Sequence, residues 1–229
     1  MSEQRDTAFS MAAYERIIRY ARERSYNFVT LNEFIDLGCP DQHHFVIRHD
    51  VDKTPTALLP IIEVECRLSV RSTTYIRVCG AEYNPFGYPA MKAFQAAASA
   101  GTEIGLHTGC FEYAKINSVD PMAVLKGELD ILRAFFDVKS IAPHRDINYI
   151  HNSLPFLEKE WKRISTDLGI KYHAYEQRIM ASTIYVNEGF DPHLCWRSGT
   201  PQDAIDTGKS VYLLTHPHWW YKEHPFEAT

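Results

Sequence analysis

The sequence predicts an α/β fold built on a largely parallel sheet of seven strands, either a barrel or a doubly wound sheet. Three observations predict it. Seven short apolar runs alternate with helix signals along most of the chain, the pattern of strand–helix–strand crossovers. The runs are apolar almost throughout, as in strands buried on both faces. Charged residues and histidines collect where the runs stop, at the C-terminal ends where parallel β/α folds carry their function.

A helix over roughly Phe9 to Arg24 opens the chain, because Met11, Tyr14, Ile17, Ile18 and Ala21 recur at helical spacing. Phe28-Val29-Thr30-Leu31 reads as a short extended piece before a helix around Asn32 to Leu37. Strands follow at His44–Arg48, Thr73–Val78, Thr102–His107, Ser140–Pro143, Lys171–Ala174, Ile184–Asn187 and Val211–Thr215. Thr54-Pro55 reads as an N-cap with proline at the first helical position, and Pro60 delays or kinks that helix. Asn84-Pro85, Asp120-Pro121 and Thr200-Pro201 are similar helix starts. Gly101 ends one helix and opens the next strand, as a C-cap glycine does.

The 229 residues fit one domain, residues 1–229, without repeats or linkers. A net charge of −5 offers no basic surface for nucleic acid or an anionic membrane. No stretch approaches the roughly 20 apolar residues of a membrane-spanning helix. The polar Met1 to Asp6 lacks a signal-peptide core. Five cysteines, Cys39, Cys66, Cys79, Cys110 and Cys195, are scattered and form no CxxC. That excludes a disulfide framework and thiolate zinc binding, and the expected location is cytoplasmic.

The chemistry concentrates in His49-Asp50-Val51-Asp52, directly after the apolar Phe45-Val46-Ile47. Packing does not ask for carboxylates there, because burying them is costly unless they are paired or bind a metal. The strands ending in His107 and His216 repeat the pattern, and His144, Arg145 and His218 lie at similar ends. An Asp-x-Asp with several histidines is a donor set for a divalent metal, zinc first, with cobalt, nickel or iron as alternatives. A catalytic zinc takes three protein ligands and keeps one position open. Asp50 and Asp52 are expected to face apart unless the chain turns sharply, one serving as ligand and the other as general base. Taken alone, Asp52 before Lys53-Thr54-Pro55 could be a helix cap, and a single histidine at a strand end is often only a satisfied polar residue. Their joint occurrence at four strand ends favours one shared site. Trp219-Trp220-Tyr221 and Trp196 offer aromatic faces for a sugar ring, or plug the barrel mouth as core.

These residues carry a resemblance. Arg48-His49-Asp50-Val51-Asp52 resembles the first motif of the polysaccharide deacetylase superfamily (NodB homology, carbohydrate esterase family 4) in its His-Asp-Val-Asp variant. Glu103-Ile104-Gly105-Leu106-His107-Thr108 is similar to the second motif, Ala142-Pro143-His144-Arg145 falls where the third lies, and Leu214-Thr215-His216 is similar to the late Leu-x-His motif. The resemblance spans roughly residues 9 to 220. It implies a deformed (β/α) barrel of about seven strands and a metal-dependent hydrolase that removes acyl groups, usually acetyl, from sugars. By position Asp50 is the base, Asp52 and His107 are metal ligands, His216 is the acid toward the leaving group, and Arg145 orients the base. The pattern departs at its second metal histidine, which is Phe111 here, with Cys110 and Glu112 beside it. His144 is the expected third ligand, followed by His216 or His218. His49, Tyr75, Arg77, His218 and Trp219 are expected to contact the substrate, a carbohydrate or other small acylated molecule. Two other functions stay open: hydrolysis of another small C–N substrate such as a ureide, or carbohydrate binding without catalysis.

Overall fold

The computed structural model describes residues 9–144, 152–189 and 196–222. Arg145, Tyr149 and Cys195 lie outside them. Helix α1 (Met11–Glu23) starts at a Ser10 cap and buries all five of its predicted apolar positions. Then come β1 (Asn27–Val29), α2 (Leu31–Asp36) and β2 (His44–Val51). Thr54-Pro55 opens a 3₁₀ turn (Pro55–Ala57), and the α-helix proper, α3 (Leu58–Arg67), begins after it. Pro60 thus falls in the first turn of α3, where its missing N–H costs nothing. Next are β3 (Thr73–Ile76), α4 (Tyr88–Ser99), β4 (Glu103–Thr108), α5 (Cys110–Asn117), α6 (Pro121–Arg133) and β5 (Ser140–Pro143). The remaining elements are α7 (Ser153–Lys159), α8 (Trp161–Leu168), β6 (Tyr172–His173), α9 (Gln177–Ser182), β7 (Thr183–Asn187), α10 (Pro201–Ile205) and β8 (Ser210–Thr215).

Two proline starts hold as expected. Asp120 caps α6 through Met122 N–H, and Thr200 forms a capping box with Asp203 on α10. Asn84-Pro85 does not open a helix. Its side chain accepts from Phe86 N–H and its carbonyl from Gly87 N–H, which makes a tight turn, and α4 begins only at Tyr88.

All strand pairings are parallel. The order is β6-β5-β4-β3-β2-β8-β7, with β1 alongside the first half of β2. The sheet curls, because strands at opposite ends of that order meet: the hydroxyl of Tyr175, just after β6, lies 3.4 Å from that of Tyr185 on β7. The result is an incomplete barrel with a seam between β6 and β7.

Alternation divides each strand between two environments. On β2, Phe45 and Ile47 face the outer helices, and Val46 joins an interior cluster with Tyr75, Ala142, Tyr172 and Tyr212. Helix α2 closes the N-terminal end of the barrel with Leu31, Phe34 and Ile35. A cap between Thr30 and Glu33 fixes its start, and Asn32 N–H donates to Glu103 at 2.9 Å. Gly105 of β4 lies against the Tyr75 ring: a Cβ there would meet its Cε1, lie 2.5 Å from Cδ1 and 2.9 Å from Ser140 Oγ. The interior is therefore filled by side chains up to the level of Arg48.

Candidate metal centre

The inward face of β2 carries Arg48 and then Asp50. Arg48 is fully buried, and its Nε and Nη2 donate to Asp50 Oδ1 and Oδ2, each at 2.7 Å. A third donor reaches Tyr212 Oη at 3.3 Å, and the guanidinium lies over the rings of Tyr75 and Tyr175. Burial pushes the Asp50 carboxyl up, but the Arg48 and His107 charges outweigh it and hold it below the ordinary carboxylate range.

Asp50 and Asp52 do not face apart. Residues two apart on a strand share a face, and His107 Nε2 lies 3.3 Å from Asp50 Oδ2 and 3.2 Å from Asp52 Oδ1. Asp52 sits just past the end of β2 and caps no helix: the following 3₁₀ turn has no side-chain cap. Burial pushes its carboxyl up, and the contact with His107, then the charge of His216, overcome that and hold it well below its usual range.

His107 stands on β4, and its Nδ1 is 3.0 Å from the Ala142 carbonyl. That carbonyl can only accept, so Nδ1 carries a proton and Nε2 is the atom turned toward the two carboxylates, the orientation of a metal ligand. His144 follows β5, where its backbone N–H donates to Thr108 O at 2.8 Å and extends the ladder. Its Nε2 is 3.9 Å from Asp52 Oδ1. Burial first, then His107, pushes its pKa down to about 3, so it is neutral as a ligand must be. One ligand atom from each of Asp52, His107 and His144 lies within 4.8 Å of the other two. Asp52 Oδ1 is buried with no hydrogen-bond donor. A buried carboxylate oxygen without a donor is poorly stabilised unless a cation lies beside it, so these residues fit a divalent metal.

His216 stands beside this set, with Nε2 3.7 Å from Asp52 Oδ2. Its Nδ1 is 2.7 Å from Glu188 Oε2, its backbone N–H donates to the same carboxylate, and Trp220 Nε1 donates to Oε1. Burial opposes charging the ring, but Glu188, with Asp52 and Asp50, overcomes it and lifts the pKa to about 9. His216 is thus a proton donor at neutral pH.

Sequence reasoning missed two of these residues. Arg48 holds the base carboxylate, a role also expected of Arg145, which lies outside the described residues; the period-two relation of Arg48 to Asp50 is a signal for it. Glu188 directly follows β7, so the strand-end rule that found the histidines also finds it.

The expected substrate contacts divide. His49 is fully buried on the outer face of β2, bonded to Glu65 and Thr215. Tyr75 is fully buried inside the barrel against Arg48. Neither has surface for a substrate at the mouth. Arg77 is inward by alternation and nearly buried, with its Nη1 3.4 Å from Glu82. Half-buried Trp219 lies against His216, ring centroids 5.0 Å apart, and His218 lies 6.1 Å from His216. Trp196 and Trp220 pack with Phe9 as core. Phe111 stacks on Phe156, Cys110 is buried, and Glu112 accepts from Ser153 Oγ. Among the described residues it is His144 that joins Asp52 and His107 in the donor set. The chain matches no protein-family model and no curated protein.

Proposed function

We propose that the chain is a metal-dependent hydrolase that removes an acyl group, acetyl first, from an amino sugar or related carbohydrate. The observation that carries this reading is one pair of groups with separated acidities beside one donor set. Asp50 is ionised and held by Arg48, while His216 is protonated and held by Glu188. Two titratable groups driven apart by their surroundings are the signature of an acid–base pair. Asp52, His107 and His144 would hold the cation, zinc being the first expectation for one carboxylate and two imidazoles. Bound there, it would polarise the acyl carbonyl and acidify water.

Asp50 takes a proton from the attacking water. Arg48 uses both carboxylate oxygens, so the base keeps one orientation. His216 gives its proton to the departing amine nitrogen or alcohol oxygen as the C–N or C–O bond breaks. The products are a carboxylic acid and a free amine or hydroxyl. Trp219, tilted against His216, supplies an apolar face on the leaving-group side, where a sugar ring fits.

Elemental analysis of the purified protein beside Asp52→Ala and His107→Ala is the test, followed by acetate release from N- and O-acetylated sugars. One transition-metal ion per chain, absent from both variants, together with acetate release is the expected result. No metal in the wild type after incubation with zinc, cobalt or nickel would overturn the reading.

A further inference from the structure

His49 faces away from the mouth, into a closed polar cell between the sheet and helices α1 and α3. Tyr14, His49, Glu65, Ser72 and Thr215 make this cell, and none is more than 1% exposed. Glu65 Oε1 accepts from Tyr14 Oη at 2.6 Å and from His49 Nε2 at 2.9 Å, and Oε2 accepts from Ser72 Oγ at 2.8 Å. His49 Nδ1 meets Thr215 Oγ1 at 2.5 Å. No ligand reaches these groups, and a buried carboxylate–imidazole contact is a costly way to gain stability alone.

Its neighbours in the chain give it another purpose. His49 precedes Asp50, Thr215 precedes His216, and the two are register partners across β2 and β8. One imidazole therefore joins the strand ends that carry the base and the acid. A second route leads back to the same cell. The Tyr14 ring packs edge-on against Trp220 at 5.3 Å, Trp220 Nε1 donates to Glu188, and Glu188 holds His216 Nδ1 at 2.7 Å. The contacts close into a ring: His49, Thr215, His216, Glu188, Trp220, Tyr14, Glu65 and back to His49.

We infer that His49 is a positioning residue. Through Thr215 on one side and Glu65, Tyr14 and Trp220 on the other, it fixes the His216 imidazole relative to Asp50. The inference rests on the hydrolase reading for its catalytic consequence, but not for its geometry.

Thr215→Val and Tyr14→Phe each remove one hydroxyl from the ring of contacts and leave every metal-site and acid–base side chain in place. In metal-free, histidine-labelled full chain, solvent exchange of the His216 Nδ1 proton is measured by NMR, with the thermal midpoint alongside. Exchange is expected to accelerate in both variants and to return toward wild type in Thr215→Ser. With an acetylated sugar that the wild type hydrolyses, kcat falls by about ten- to a hundred-fold at constant KM, the usual cost of losing an outer-shell partner. Unchanged exchange, or unchanged kcat, with only a lowered thermal midpoint overturns the inference and leaves the cell a stability device. If Thr215→Val does not fold, Tyr14→Phe, at the far side of the ring, decides. If the wild type hydrolyses no acetylated sugar, the hydrolase reading fails, and proton exchange still decides whether His49 positions His216.

Discussion

Arg48 and Glu188 set the charge states of the residues beside them, and each can be removed singly. In Arg48→Met the Asp50 carboxylate stays buried without its partner. A loss of about 3–5 kcal/mol is expected in urea unfolding at neutral pH, the usual cost of breaking a buried ion pair. The wild-type carboxyl titrates below its ordinary range, so its stabilisation is present at neutral pH and is withdrawn as pH falls through that lowered value. Glu188→Gln acts at the other end of the scale. His216 is raised to about 9, so its stabilisation is full below ~6.5, the unperturbed histidine value, and is lost as pH rises through about 9. For the proposed hydrolysis, the alkaline limb of the rate profile, where the donor would lose its proton, is expected to move to lower pH in Glu188→Gln; an unmoved limb would remove Glu188 from the support of the proposed acid. Most of this cluster was legible in the sequence because strand ends are where β/α folds place function. Arg48 was given no role there although it lies two positions before Asp50, the spacing that puts both on one face. The same period places His49 on the opposite face, so its position next to Asp50 in sequence carried no information about nearness to the mouth.

Elements were legible wherever local chemistry decided them. Apolar positions on α1 and the caps at Asp120 and Thr200 are short-range signals, and each element formed where they placed it. Asn84-Pro85 carries the same local signal, yet its residues satisfy one another in a turn before α4 starts. Nothing within a few residues separates those outcomes, because the difference lies in how the chain leaves β3. Contacts between strands are likewise invisible locally. Gly105 reads as an ordinary break in an apolar strand, but its missing side chain is where the Tyr75 ring lies. Gly105→Ala would press a methyl group against both that ring and Ser140, and a loss of about 1–3 kcal/mol is expected by chemical denaturation, as for other overpacked interiors. An unchanged midpoint would mean that Tyr75 relaxes freely, against its complete burial.

At the scale of the whole molecule, the seven apolar runs predicted only a parallel sheet; the barrel that the structure has was implied by the resemblance and not by the runs themselves. The choice between a barrel and a doubly wound sheet depends on the strand order and on the meeting of Tyr175 with Tyr185 across the seam, contacts that no local pattern records. The barrel collects its donors from three strand ends, so a cation should tie the sheet together. Zinc at a hundred times its dissociation constant is expected to add roughly 2.7 kcal/mol, read as a raised melting temperature that a chelator reverses and that His144→Ala does not show. The strand order also sets a timetable. β8, late in the chain, lies between β2 and β7, with β2 partners about 166 residues away in sequence. During synthesis β2 therefore waits with one edge bare while most of the barrel is already made, the state in which parallel sheets fold slowly and meet other chains. Insertion of β8 closes that edge and brings His216 to Asp50 in the same event. An incompletely folded chain thus lacks His216 beside Asp50, and the proposed acid and base come together only when the last strand is in place.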